Sequence, residues 1–326
     1  VEEVRGERKA AGFEVRHVYF QAFIRLRLIA GMFPKFITSL LIVNFLFIFQ
    51  GNYCRSQDVM DLQNDSVDAP IPSKPLRIIT RIPSDLWQLA KSPFKKNSIP
   101  ALGIIAGSTA LMYYYDDGIL KGITGFSVRN NIDTNTSYKK LLKIGDQSFV
   151  KIPLNATSIG YTLGEGWTGL AIAGGLFISG KIGKSTRPLQ TAGDLVEGFI
   201  STAIVTQAIK RITGRESPFV ATAPRGRWRP FPSFKEYQNN TPSYDAFPSG
   251  HLTTMMLYTT ILADNYPEKK WIRILGYSLI TYSSLAMMNT EVHWASDYPL
   301  AIAIGYVQAK IITSRHKVKT KKPITL

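Results

Sequence analysis

From about residue 100 onward, apolar stretches alternate with short polar interruptions. Six stand out: ALGIIAGSTALMYYY (101–115), SIGYTLGEGWTGLAIAGGLFISG (158–180), LVEGFISTAIVTQAIKRI (195–212), LTTMMLYTTILADNY (252–266), WIRILGYSLITYSSLAMM (271–288) and YPLAIAIGYVQAKIITS (298–314). Their length, and the scarcity of strictly alternating runs, predict helices rather than strands. The expected fold is all-α, a single six-helix bundle. In the third stretch Leu195, Phe199, Ala203, Val205 and Ile209 recur at helical spacing and read as its core face. Lys210 and Arg211 fall at its C-terminal end, where cations also suit the helix dipole. Several runs carry a charge well inside them, as at Glu165 and Glu197, which fits core helices better than membrane spans.

The chain ahead of this body divides by composition. Residues 57–98 are polar and hold Pro70, Pro72, Pro75 and Pro83, so they read as a linker or an irregular cover. The segment from Met32 to Ser56 has a basic residue, Lys35, an apolar run to about Phe49, and small residues Cys54 and Ser56, the layout of a signal peptide or of an uncleaved anchor. Residues 1–31 then read as an upstream extension, 99–314 as the folded helical domain, and 315–326 as a basic tail. An export signal implies an extracytoplasmic, periplasmic location.

Composition narrows the function classes. Of the 326 residues, 45% are hydrophobic and 19% charged, which is the balance of a folded chain. The formal net charge of +16 favours anionic partners: nucleic acid, anionic lipid or phosphate esters. No nucleic-acid-binding module accompanies that charge, so nucleic acid is set aside. The single cysteine, Cys54, excludes an internal disulfide and a multi-cysteine metal site.

Of four histidines, His17 lies in the leader and His316 in the tail, which leaves His251 and His293. His251 follows Ser249 and Gly250 in FPSGHLTT, at the expected first turn of a helix, where unpaired backbone N–H groups and the positive dipole end favour an anion. Gly250 permits close backbone approach, Ser249 supplies a hydroxyl, and His251 adds a group of near-neutral pKa. His293 sits in VHWASDYP with Asp297 four residues on, within reach to hold one imidazole nitrogen and free the other as a nucleophile.

Taken in order, KRITGRESP (210–218), PSGH (248–251) and HWASD (293–297) resemble the three signature motifs of the type 2 phosphatidic acid phosphatase superfamily, over roughly residues 100–313. The resemblance implies a bundle of the acid phosphatase and vanadium haloperoxidase type, and no metal requirement. It also implies hydrolysis of a phosphate monoester or pyrophosphate through a phosphohistidine. His293 would attack phosphorus, Asp297 would orient it, and His251 would protonate the leaving oxygen. Lys210, Ser249 and the Gly250 N–H would hold the equatorial oxygens.

Two departures matter. Where the superfamily has an arginine seven residues after the lysine, this chain has Ser217; where it has one six residues before the nucleophilic histidine, it has Met287. Each missing donor is worth about 3 kcal/mol of transition-state stabilisation. Arg215, in GRESP, and at least one arginine of the loop PRGRWRP (Arg225, Arg227, Arg229), above all Arg229, are the expected replacements. Trp228, Phe231 and Trp294 flank the motifs as candidates for an acyl or prenyl entrance. The expected function is hydrolysis of a lipid phosphate or lipid pyrophosphate at a membrane surface. A non-catalytic binder of such lipids, or a vanadium-dependent haloperoxidase, is the alternative.

Overall fold

The computed structural model describes residues 75–144 and 147–316. The upstream extension, the signal or anchor segment, the start of the linker and the tail beyond residue 316 lie outside the described residues. Among the described residues the fold is mostly helical: α1 Pro75–Lys91, α2 Ile99–Arg129, α3 Ala156–Leu163, α4 Gly166–Ile182, α5 Thr186–Thr213, α6 Phe234–Asn239, α7 Gly250–Asn265, α8 Trp271–Asn289 and α9 Tyr298–Thr313. Between α2 and α3, β1 (Tyr138–Ile144) pairs antiparallel with β2 (Gln147–Pro153), Tyr138 facing Pro153 and Ile144 facing Gln147.

The helical class therefore holds, while the six-helix count does not. The second predicted run breaks at Gly164 and Glu165 into α3 and α4, where Glu165 turns to an extended conformation (ψ 143°) and Gly164 packs its bare backbone against the His251 side chain. Residues 75–91, expected as linker or irregular cover, form α1 despite Pro83. Its Asp85 and Leu89 are buried, and the helix packs on α5 and α9. The hairpin was hidden in the lysine-rich SYKKLLKIGDQSFVKIP, whose exposed Leu141 and Ile152 give only a weak alternation.

The interior forms where α7 packs against α5, α8 and α9, with Leu252, Met255, Leu257 and Ile261 of α7 fully or almost fully buried. Burial of each such side chain contributes about 1.5–3 kcal/mol. The helix boundaries follow local chemistry: Ser249 caps α7 by accepting from Leu252 N–H at 3.4 Å, and Pro299 opens α9. Gly214 ends α5 in the left-handed conformation (φ 56°), where a Cβ would stand 1.8 Å from the Arg229 carbonyl oxygen.

Helix α5 is turned differently from its sequence reading. Leu195 is buried, but Phe199, Ala203, Val205 and Ile209 are only half-buried, and Ile204 and Ile212 are exposed. The inward stripe is polar: Asp194, Glu197, Ser201, Thr202, Thr206 and Lys210. The hydroxyls on it bond to carbonyls one turn back, as from Thr202 to Gly198 (2.8 Å) and from Thr206 to Thr202 (2.7 Å), so the stripe is buried without orphaning them. Among the described residues no helix is long and apolar enough to cross a membrane.

Candidate functional site

Three segments meet at one end of the interior. The last turn of α5 brings Lys210, the start of α7 brings Ser249, Gly250 and His251, and the turn Ala295–Asp297 ahead of α9 brings Asp297, with His293 just before it. Backbone bonds stitch them together: Ser249 N–H to the Asp297 carbonyl (3.1 Å), Ala246 N–H to Arg215 (3.0 Å) and Arg229 N–H to Gly214 (2.7 Å). The Thr213 hydroxyl adds a bond to the Phe247 carbonyl (3.1 Å).

The His251 and His293 ring centroids lie 6.1 Å apart at 71°. His293 Nδ1 stands 3.4 Å from Asp297 Oδ2, as the spacing in HWASD required. Lys210 is buried, and its Nζ lies 3.9 Å from the place a Cβ on Gly250 would occupy. Five of the expected site residues besides Ser249 thus converge: Lys210, Gly250, His251, His293 and Asp297. His251 is walled by Tyr161, edge-on at 4.6 Å, and by Gly164. Burial, followed by the neighbouring His293 and Lys210, pushes its pKa down to about 3, so its imidazole is neutral near pH 7. His251 Nε2 and His293 Nδ1 are buried without a hydrogen-bond partner.

Arg215 is placed otherwise than expected. It is fully buried, and each of its N–H groups is engaged: Nη1 with Asp297 Oδ1 (2.5 Å) and Ser296 Oγ (2.7 Å), Nη2 with Asp116 Oδ2 (2.7 Å) and the Arg225 carbonyl (2.9 Å), Nε with that same carbonyl (3.3 Å). Tyr113, Trp228 and Trp294 surround it, with ring centroids 5.0–5.2 Å from its Cζ. No donor is left for an incoming phosphate, so Arg215 serves Asp297 instead. Arg229 is likewise engaged, its Nη2 lying 2.7 Å from Glu216 Oε1. Burial pushes the Glu216 carboxyl up, but the N–H groups of Thr222 and Arg227, the Thr222 hydroxyl and Arg229 outweigh it and hold the pKa below the ordinary range. Met287 and Ser217, at the two departures, are both buried.

Sequence reasoning missed Asp116, Ser296, Asp245, Tyr161 and Gly164. Asp245 Oδ2 is 3.4 Å from Lys210 Nζ, and Asp116 accepts from the Ser296 N–H (3.0 Å) and hydroxyl (2.5 Å). Only Asp116 left a signal, as an acidic pair with Asp117 inside an apolar run. Of the aromatics, Trp228 and Phe247 line an apolar cleft of about 580 Å³ beside α2, whose lining also includes Arg215 and Ser296. Trp294 is buried and donates from Nε1 to the Glu216 carbonyl (2.8 Å), while Phe231 is exposed. Among the described residues no group of three or more histidine, cysteine, aspartate or glutamate side chains could hold a metal ion.

The helical scaffold thus gathers two histidines, a lysine and a helix N-terminus around one point. Residues 191–321 match the family model of the PAP2 superfamily, which bears out the resemblance carried by the three motifs. That superfamily generally comprises phosphatases, and the match indicates phosphatase-type activity on phosphate esters. No curated protein and no solved structure matches the chain.

Proposed function

We propose that the protein is an extracytoplasmic phosphatase that hydrolyses a lipid phosphate or lipid pyrophosphate through a phosphohistidine. The reading is carried by one observation, the approach of His251 and His293 to 6.1 Å beside Lys210 and the first turn of α7. In the first step the free imidazole nitrogen of His293 attacks phosphorus, the P–O bond to the leaving group breaks, and His251 gives that oxygen a proton. In the second, water attacks the phosphorus as His251 takes its proton; the P–N bond breaks and inorganic phosphate leaves. With its pKa pushed down to about 3, His251 acquires its proton beside the bound phosphate, whose negative charge counters the effects of burial, His293 and Lys210.

The lipid part of the reading is supported by exposed apolar side chains along α2, α4 and α8, among them Tyr114, Ile182 and Ile274, on a chain with net charge +16. The apolar cleft beside α2 and the signal-like segment at 32–56 favour the same reading. A second reading, a non-catalytic binder of lipid phosphates, is favoured by the absence of both motif arginines and by the full engagement of Arg215.

The test is phosphate release from a panel of lipid and soluble phosphates by the wild type, His293→Ala and His251→Ala. Turnover by the wild type that falls about a thousandfold or more in His293→Ala supports the phosphatase. Undiminished turnover in that variant sinks the mechanism, and lipid phosphate binding without release by the wild type favours the binder.

A further inference from the structure

We propose that Asp116, on α2 and outside the segment that matches the superfamily, is a positioning residue of the site: through Arg215 and Ser296 it fixes the carboxylate that orients His293. The proposal rests on the reading of His293 as the group that meets the phosphate.

The geometry gives Asp116 two connections to one turn. Its Oδ1 accepts from the Ser296 N–H (3.0 Å) and its Oδ2 from the Ser296 hydroxyl (2.5 Å), so it pins the backbone and side chain of the residue next to Asp297. Its Oδ2 also accepts from Arg215 Nη2 (2.7 Å), while Arg215 Nη1 holds Asp297 Oδ1 (2.5 Å). Asp297 Oδ2 accepts from Trp294 N–H (2.8 Å) and faces His293 Nδ1 at 3.4 Å. Every link from α2 to the imidazole is thus a named contact.

A counterion role alone does not account for this. Arg215 already has Asp297 as its counterion, and a second carboxylate leaves two buried negative charges for one positive. The cost is visible at Asp116: burial raises its pKa, Arg215 opposes that, and Asp297 raises it further. A pair satisfied by one carboxylate would be less costly, so the second has a use beyond neutrality. The second carboxylate ties Asp297 to α2 through Arg215. It also clamps the turn from outside, with α2 packed on residues 295–297.

The experiment compares wild type, Asp116→Asn, Asp297→Asn and the double variant in two measurements. The first is the titration of the His293 ring followed by NMR on histidine-labelled protein, its signal assigned by its loss in His293→Gln. Asp116→Asn removes a negative charge and gives Arg215 wholly to Asp297, so the ring should bind its proton roughly threefold less tightly or weaker, a fall of about half a pH unit. The second is phosphate release, where Asp116→Asn should lose about ten- to a hundredfold in kcat with KM nearly unchanged. The double variant should be no worse than Asp297→Asn alone, since Asp116 acts through Asp297.

An unmoved His293 titration, or losses that simply multiply in the double variant, overturns the proposal. If Asp116→Asn does not fold, Ser296→Ala, which removes one of the two connections, must show the same direction of change in both measurements, and an unchanged His293 titration there overturns it equally. A wild type that releases no phosphate from any substrate fails the phosphatase reading instead, and the ring titration still decides the role of Asp116.

Discussion

The two sides of the Asp297 carboxylate are built on opposite principles. Behind it, Arg215 is buried with every N–H engaged and three aromatic rings around it, while Asp116 and Ser296 close the cluster. In front, His251 Nε2 is buried without a hydrogen bond among the described residues, His293 meets Asp297 only through Nδ1, at 3.4 Å, and the partner of Lys210 is Asp245, at 3.4 Å. A buried polar group left unpaired costs about 1–3 kcal/mol, and the back meets that requirement entirely from within the protein.

Breaking the back should therefore cost stability, and breaking the front should cost activity. Arg215→Met leaves Asp116 and Asp297 buried without their cation, and such a loss costs about 3–5 kcal/mol in chemical denaturation. Lys210→Met leaves its partner Asp245, which is 28% exposed and stays solvated, so stability should change by about 1 kcal/mol or less in the same measurement. Its phosphate release should nevertheless fall by about two to three decades, because it removes a transition-state donor. Equal stability losses in the two variants would erase the distinction.

Gly164→Ala sharpens the comparison from the front. The added Cβ would lie 2.6 Å from His251 Cβ, so the ring must move or the break between α3 and α4 must yield. The expected stability cost is about 1–3 kcal/mol, with phosphate release reduced about tenfold or more as His251 leaves its alignment. A variant with unchanged kcat would mean that the position of His251 is not critical.

How much of this was legible in the chain depends on how local each signal is. Lys210, His251, His293 and Asp297 were readable because a helix end, a helix start and a short turn each carry their own motif, and backbone bonds such as Ser249 N–H to Asp297 bring them together. The apolar runs likewise marked helices correctly. Periodicity did not reveal which face of α5 turns inward, because Thr202 and Thr206 bond to their own helix and so are buried at little cost. Asp116 lies 99 residues from its partner Arg215, and only the folded chain relates them. Arg215 was read as a phosphate donor from its place beside a missing arginine, whereas its partners were set by that distant contact.

Acid should weaken the fold through the front of the site. His251 has a folded pKa of about 3 against an ordinary value of 6.5, so between these values the unfolded chain binds more protons than the folded one. The contribution is fully present above pH 6.5 and is lost as the pH falls toward 3; between pH 6.5 and 5 that amounts to about 2 kcal/mol. His251→Gln should flatten this part of the stability profile. Saturating inorganic phosphate should reduce the slope in the wild type, since a bound anion lets His251 hold its proton. A profile identical in wild type and variant would mean that the ring is not held neutral.

The smallest expected effect falls on Arg229, which the sequence offered as a replacement phosphate donor. Its pairing with Glu216 gives it a different task, and the pair is weak in consequence: the arginine side chain is 35% exposed, so solvent screens it. Glu216 also keeps three other donors, the N–H groups of Thr222 and Arg227 and the Thr222 hydroxyl, when the guanidinium is removed. Arg229→Gln should then cost about 1 kcal/mol or less in denaturation and change phosphate release by about twofold or less. A loss of two decades in release with stability unchanged would instead return Arg229 to the phosphate, and would mean that it exchanges Glu216 for the substrate on binding. In that event the front of the site would draw its second cation from the loop.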